Sequence, residues 1–178
     1  LYSSDFRPTN INTAGITTTG NLEVTSGYVN SSDAQYNTRV GENAGDSFSG
    51  TSATHNTLIG YDAGTAITSG DKNTAVGSDA LQATTTASHN IAVGYEALAT
   101  NTTGAYNVAV GSNTLDSNTT ADNNTAIGYD VLGANTTGAQ NTALGANALK
   151  ANTTADNNTA IGDNALTANT TGTRNVAI

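Results

Sequence analysis

The sequence lacks several residue types and patterns on which common protein functions depend. It has no cysteine, methionine or tryptophan, and its only proline is Pro8. Without cysteine it can form neither a disulfide framework nor a cysteine-based metal or redox site. No apolar run approaches the length of a membrane-spanning helix, and no basic-plus-apolar signal sequence is present, so we expect no membrane insertion.

Positive charge is also scarce, because five Lys and Arg stand against fourteen Asp and Glu, for a net charge of −9. A surface this acidic repels polyanions, so we expect no nucleic-acid partner. The chain begins with Leu1 rather than Met and ends at Ile178 in the middle of a repeat. We therefore expect an internal fragment whose repeats continue beyond residue 178.

The chain contains a five-residue motif that recurs at a fixed interval: Asn, a variable residue, usually Ala, a large aliphatic residue and Gly. It begins at residues 37, 56, 73, 90, 107, 124, 141, 158 and 175, so the first step is 19 residues and every later step is 17. Known helical repeats need roughly 33 residues or more, and Asn, Thr, Gly and β-branched residues favour strands and turns. We therefore predict an all-β parallel β-solenoid of about eight turns, with one turn for every 17 residues.

Each repeat holds two apolar blocks and a polar corner. Side chains alternate along a strand, so the large aliphatic of the motif, such as Val76, faces opposite to Ala75. Both faces are then apolar, and we expect burial on both, with a neighbour packed against the Ala face. The second block, Ala80-Leu81, predicts a second short strand per turn, and Asn101 opens an Asn-Thr-Thr corner. The motif Asn residues predict a ladder of stacked amides.

The apolar side chains of one turn stabilise it by less than the conformational entropy that ordering its residues costs. We therefore infer that each chain packs against copies of itself, hiding either its Ala face or its Leu face. The number of chains does not follow from this comparison.

The first part of the chain has a different pattern. Residues 16–29 alternate apolar and polar side chains around Gly20-Asn21, which predicts a strand or hairpin. We assign residues 1–36 to an N-terminal β-strand or hairpin that connects to an upstream shaft, and residues 37–178 to the solenoid. Phe48, in the 19-residue first turn, is expected to cap the solenoid, because terminal repeats are usually atypical.

The blocks Asn123-Asn-Thr-Ala-Ile-Gly128 and Asn157-Asn-Thr-Ala-Ile-Gly162 resemble the Asn-Ser-Val-Ala-Ile-Gly repeat of YadA-type heads in trimeric autotransporter adhesins. The resemblance covers residues 37–178 and implies a left-handed parallel β-roll with three chains around one axis. Residues 124–138 are even more similar to repeats of bacteriophage tail-fibre proteins, which often carry a downstream endosialidase-type chaperone. The 17-residue unit is longer than the typical adhesin-head repeat, and no stalk, anchor or chaperone domain is visible in the sequence, which favours the phage family.

The candidate site residues recur in columns along the solenoid. Tyr61, Tyr95 and Tyr129 follow the motif glycine in alternate turns and, if exposed, could stack on sugar rings of a cell-surface glycan. Packing between turns or chains is the other interpretation of these tyrosines. His55 and His89 lie two turns apart, roughly 10 Å, so one chain cannot bring both to one metal ion.

The next column holds four carboxylates, in Asp62, Asp79, Glu96 and Asp130, with Asn at its other positions. A bound cation is one interpretation of this column, and a solvated acidic stripe is the favoured one. We predict no catalytic, cofactor-binding or metal site and no cofactor.

These observations favour a non-enzymatic structural and adhesive segment of a homotrimeric phage or phage-like tail fibre, acting as a spacer or binding a host-surface glycan or protein. The alternatives are the head domain of a bacterial trimeric autotransporter adhesin and a subunit of an extracellular filament. An ice-binding solenoid is disfavoured, because the paired Thr residues of each corner are adjacent and point to different sides. The leading interpretations place the chain outside the cell, on a virion or a bacterial surface.

Overall fold

The computed structural model describes residues 35–48 and 52–178 of the chain. Nine short strands form one parallel sheet in which sequence neighbours pair in order from β1 to β9. The strands are β1 Thr38–Val40, β2 Thr57–Ile59, β3 Thr74–Val76, β4 Ile91–Val93, β5 Val108–Val110, β6 Thr125–Ile127, β7 Thr142–Leu144, β8 Thr159–Ile161 and β9 Val176–Ala177. The hairpin predicted for residues 16–29, and all of the predicted connector except its last two residues, lie outside the described residues.

Each turn of the chain stacks on the next with a constant register. Ala75 pairs with Ala92, and Ala92 pairs with Ala109, so from β2 onward each strand residue lies beside the residue 17 positions later. Hydrogen bonds between turns continue outside the sheet, as between the Leu81 N–H and the Ala97 carbonyl at 3.0 Å. The prediction of an all-β parallel solenoid with about eight turns of 17 residues is therefore confirmed.

No helix occurs in residues 35–48 and 52–178, and accordingly none there could span a membrane.

The middle residue of each strand points into the solenoid. Ala75, Ala92, Ala109 and Ala126 are fully buried, whereas the large aliphatic that follows each of them in its strand remains accessible on the outer surface. The expectation that a neighbouring chain packs against the Ala face is therefore wrong. Because side chains alternate along a strand, the Ala and the large aliphatic next to it face opposite ways. The small Ala methyl groups occupy the narrow interior.

The second apolar block fills the rest of the interior without forming a strand. Leu81, Leu98 and Leu115 are fully buried, and each has a φ between 53° and 54°, in the left-handed region. A strand requires negative φ, so the prediction of two strands per turn is wrong, and each turn has one. Burying a leucine stabilises a protein by about 1.5–3 kcal/mol, which offsets the cost of roughly 1–2 kcal/mol for a left-handed residue. The Leu face is therefore also internal.

Two ladders of asparagines hold successive turns together. The Asn107 side-chain carbonyl accepts a hydrogen bond from the Asn124 N–H at 3.0 Å, and its amide group donates to the Ala121 carbonyl at 2.8 Å. A second ladder follows the Asn-Thr-Thr corners, where the Asn118 amide donates to the Asn101 side-chain oxygen at 2.9 Å. The predicted amide ladder is confirmed, and because these side chains are buried, each satisfies backbone groups that water cannot reach.

The first described turn differs from the others. Arg39 stands in the column that Ala occupies later, and its guanidinium lies over the Phe48 ring at 5.4 Å from the ring centre. Phe48 packs against the buried core, which agrees with its predicted capping role. The contact between Arg39 and Phe48 has no signal in the repeat pattern of the sequence.

Candidate functional site

The described turns contain no pocket, and their candidate functional residues form columns on the outer surface. One of these columns is a row of large aliphatic side chains that we call the aliphatic stripe. It consists of the third residue of each strand from β1 to β8, namely Val40, Ile59, Val76, Val93, Val110, Ile127, Leu144 and Ile161.

The aliphatic stripe is accessible in the single chain. Ile127 is 39% exposed and Leu144 44% exposed, and Val76, Val93 and Val110 are half-buried. Parallel strands lie about 4.8 Å apart, so the stripe is roughly 34 Å long. The first residue of each strand faces outward beside it, and in β4 and β5 this residue is also aliphatic, Ile91 and Val108. Soluble monomers rarely expose an ordered apolar surface of this extent.

One edge of the stripe is a column made of the residues that immediately precede each motif Asn. We call this column the cationic edge; its members are Tyr36, His55, Lys72, His89, Tyr106, Asn123, Gln140, Asn157 and Arg174. All of them have φ values between 57° and 64°. Such values favour Gly and Asn, and they turn the chain out of the strand direction at the corner.

Aromatic rings stack along the cationic edge. Tyr36 and His55 have ring centres 5.3 Å apart, and His89 and Tyr106 have ring centres 4.9 Å apart, with rings 22° and 13° from parallel. Lys72 lies between the two pairs, in the turn that separates His55 from His89. Both histidines are exposed, and each contacts a tyrosine one turn away.

The other edge is made of the residues directly after the strand glycines. It includes the tyrosines that are predicted to contact a receptor. We call it the carboxylate edge; it consists of the two residues after each glycine, 42–43, 61–62, 78–79, 95–96, 112–113, 129–130, 146–147 and 163–164. Tyr61, Tyr95 and Tyr129 are 51%, 50% and 59% exposed, so the exposure on which their proposed role depends is present. Ser78 and Ser112 stand between them, which leaves the flanks of each ring open.

The carboxylates of this edge interact with neutral donors or with one lysine. Asp62 accepts a hydrogen bond from Asn43 at 2.8 Å, Asp79 accepts from Gln82 at 2.8 Å, and Glu96 accepts from Asn113 at 3.2 Å. Asp130 forms an ion pair with Lys150 at 2.6 Å. Among the described residues there is no cluster of three or more His, Cys, Asp or Glu side chains that could hold a metal ion.

Glu96 also affects the neighbouring tyrosine. Its hydrogen bond to the Tyr95 hydroxyl and its negative charge raise the pKa of Tyr95, with smaller contributions from desolvation and from Asp79.

The Thr pairs at the corners separate as the sequence analysis expects. The Thr102 hydroxyl donates to the Thr119 carbonyl of the next turn at 2.9 Å and is half-buried, whereas Thr103 is exposed. Thr103 is therefore presented more fully to solvent than Thr102. The Asn residues of the same corners, such as Asn118, are buried within their ladder.

Comparison with models of protein families, with curated proteins and with solved structures found no match to this chain. Its class therefore follows from the fold alone: it is a parallel β-solenoid that carries an aliphatic stripe between two polar edges.

Proposed function

We propose that this chain is a structural and adhesive segment of a homotrimeric fibre in which three parallel solenoids pack through their aliphatic stripes. The observation that carries the proposal is the stripe, an outward row of large aliphatic side chains with one in every turn. Such a row loses contact with water only when another surface covers it, and a copy of the chain carries a row of the same spacing. The number three and the left-handed coil rest on the resemblance to YadA-type heads.

The fibre we propose is a phage or phage-like tail fibre, with the chain outside the cell on the virion. A bacterial trimeric adhesin head would use the same assembly and is the alternative. We propose no enzymatic activity for either. The chain acts as a spacer or binds a host-surface receptor, and Tyr61, Tyr95 and Tyr129 are the proposed contacts. Their recurrence in alternate turns favours a ligand with repeating units, to which weak contacts add by multivalency.

The assembly is tested by placing a charge on either face of the same strand. Ile127→Asp puts a carboxylate on the aliphatic stripe, where it remains hydrated in a single chain but costs several kcal/mol when a partner buries it. We expect this variant to keep its β-sheet circular dichroism and to sediment as a monomer, whereas the unchanged chain sediments as a trimer.

The matched control is Ala126→Asp, whose carboxylate would point into the interior. It should lower thermal stability sharply, because Ala126 is fully buried inside the chain itself. Asp130→Asn, on the carboxylate edge, should change neither property appreciably. A stable folded monomer for the unchanged chain would overturn the proposal.

A further inference from the structure

The two edges of the aliphatic stripe have opposite chemical character. The cationic edge holds Lys72, Arg174 and two histidines and has no carboxylate among its nine residues. The carboxylate edge has six carboxylates and no cation; they are Glu42, Asp62, Asp79, Glu96, Asp130 and Asp163. Both edges run parallel to the stripe and beside it, because each begins within two residues of a strand end. A surface that covers the stripe therefore also meets both edges.

Lys72 forms no ion pair with the residues that the structure describes. The described residues contain a single ion pair, between Lys150 and Asp130, and Lys72 is exposed. The nearest carboxylate in sequence, Asp71, accepts hydrogen bonds at 2.8 Å from the N–H and the hydroxyl of Thr54 in the preceding turn. The charge of Lys72 is thus available to a partner.

Symmetry decides which edges meet when two copies pack through their stripes. A rotation about an axis parallel to the solenoid brings the cationic edge of one chain against the carboxylate edge of the next, and this holds for two, three or more chains. A rotation that makes the chains antiparallel brings each edge against its own copy. The antiparallel arrangement then sets six carboxylates against six carboxylates, which is unfavourable at short range.

We propose that, in the assembled fibre, the cationic edge of each chain contacts the carboxylate edge of its neighbour, turn for turn and in parallel. This inference rests on the proposed function, since it requires that the solenoids pack through their stripes. It assigns a second copy of this chain as the partner of both edges. It also gives Lys72 a role in selecting the parallel orientation.

The sizes of facing side chains agree with this pairing. In a parallel assembly with cyclic symmetry, residues of the same turn lie at the same height, so Lys72 faces Ser78 and Tyr106 faces Ser112. The histidines face the tyrosines, His55 with Tyr61 and His89 with Tyr95. In this pairing those two tyrosine rings pack between chains, which is the second interpretation of the tyrosine column, and they are not receptor contacts where a neighbouring chain covers them. The long Lys72 and Tyr106 side chains thus meet small partners, and the planar imidazoles meet planar phenols.

Engineered disulfides test the pairing, because the natural chain has no cysteine. The double variant Lys72→Cys/Ser78→Cys should form disulfides between chains under mild oxidation. Within one chain these two residues lie on opposite ends of β3, on the order of 15 Å apart, whereas a disulfide requires Cα atoms within about 7 Å. On a non-reducing gel, we expect most of the chains to migrate as covalent trimers, with some covalent dimers as intermediates.

Three controls accompany the double variant. Lys72→Cys alone and Ser78→Cys alone should stay uncoupled, because a parallel assembly never brings a residue of either edge against its own copy. Lys72→Cys/Ser112→Cys places the second cysteine two turns away, about 10 Å along the axis, and should couple far less.

The outcomes separate this inference from the proposed function. Coupling of the single variants would overturn it in favour of antiparallel packing. Absence of coupling in the double variant, while sedimentation shows trimers, would overturn the edge pairing alone. Sedimentation of every variant as a monomer would overturn both the pairing and the proposed function.

Discussion

At the scale of single residues, backbone strain is concentrated in columns where a side chain either fills the interior or stands at an outer corner. Leu132 and Leu149 adopt φ near 52° inside the solenoid, and Gln140 and Arg174 adopt φ of 59° and 57° outside it. For the leucines, burial of the side chain offsets the free-energy cost of this backbone conformation. The corner residues have no comparable burial that offsets their backbone strain.

Asp116 also has an unfavourable environment in the isolated chain. One of its carboxylate oxygens is enclosed and has no hydrogen-bond partner. Burial raises the pKa of Asp116, and the charges of Asp130 and Glu96 add to the effect, although hydrogen bonds from the backbone N–H groups of Ser117 and of Asp116 itself lower it. The folded chain therefore retains this proton at pH values where the unfolded chain has lost it.

The raised pKa of Asp116 fixes the direction in which the stability of the fold changes with pH. Where the folded state binds more protons than the unfolded state, stability falls as pH rises, here from the ordinary carboxyl pKa up to the raised value. We expect Asp116→Ala to raise the free energy of unfolding at pH 7 by less than about 1 kcal/mol, because the carboxyl group is partly exposed and solvent screens its charge. Ala99 already occupies this column one turn earlier. The gain should disappear below pH ~4, where Asp116 is protonated in both states.

Denaturant unfolding of both chains at pH 7 and at acidic pH measures the effect. The exposed Asp163→Ala variant serves as control and should change stability by less than about 0.5 kcal/mol at either pH. If Asp116→Ala is less stable than the unchanged chain at pH 7, the carboxylate stabilises the fold in a way that its surroundings do not explain.

At the scale of the strand and turn, the sequence predicts position better than orientation. The recurring five-residue motif located every strand, because parallel in-register stacking brings equivalent residues of successive turns side by side. It did not tell which face of Thr125–Ile127 is internal, since alternation is the same for either choice. Which face is internal depends on the width of the interior, in which the Ala126 methyl group is fully buried.

The assignment of Leu81 to a second strand was wrong for a related reason. Leucine in an apolar block fits a strand, and only its backbone conformation excludes one. A signal was present in the first two turns, where Gly45 and Gly64 occupy the same column with φ of 60° and 58°. For the candidate site, the tyrosines could be named from their spacing, but the two edges could be recognised only after the outer face was known.

The strand glycines provide a test of how closely the turns stack. Gly94 has φ of 137°, and a Cβ added there would lie 2.5 Å from the Gly111 carbonyl oxygen of the next turn. Gly162 has a similar φ of 130°, but a Cβ there would meet only the Ala165 Cβ at 4.0 Å. The two positions thus share the conformational strain and differ in the clash.

We expect Gly94→Ala to lower the free energy of unfolding by several kcal/mol and Gly162→Ala by about 1–3 kcal/mol, the cost of strain alone. Thermal unfolding followed by circular dichroism measures both. Equal losses for the two variants would mean that neighbouring turns can move apart, contrary to the close backbone approach at these glycines.

At the scale of the whole solenoid, stability is a sum over turns and over contacts between neighbouring turns. Superimposed on the 17-residue period is a 34-residue one, in which corner positions alternate between Gly, as at Gly104 and Gly138, and Ala, as at Ala121. A Cβ at Gly104 would meet the Ala121 carbonyl, and one at Gly138 the Ala155 carbonyl. Removing two turns therefore preserves both the register and this alternation, whereas removing a fraction of a turn preserves neither.

Deleting residues 107–140 removes two complete turns and joins Tyr106 to Asn141, which takes the place of Asn107 in the amide ladder. Lys150 then stands one turn after Glu96, which replaces Asp130 in the same column. We expect a folded fibre shorter by about 10 Å in small-angle scattering, with weaker binding to host-surface polysaccharide because the Tyr129 contact is lost.

Deletion of residues 107–131, which breaks the register, should unfold the chain at that point. Unchanged binding by the two-turn deletion would assign this segment to a passive spacer, and loss of folding would contradict the independence of turns on which the solenoid depends.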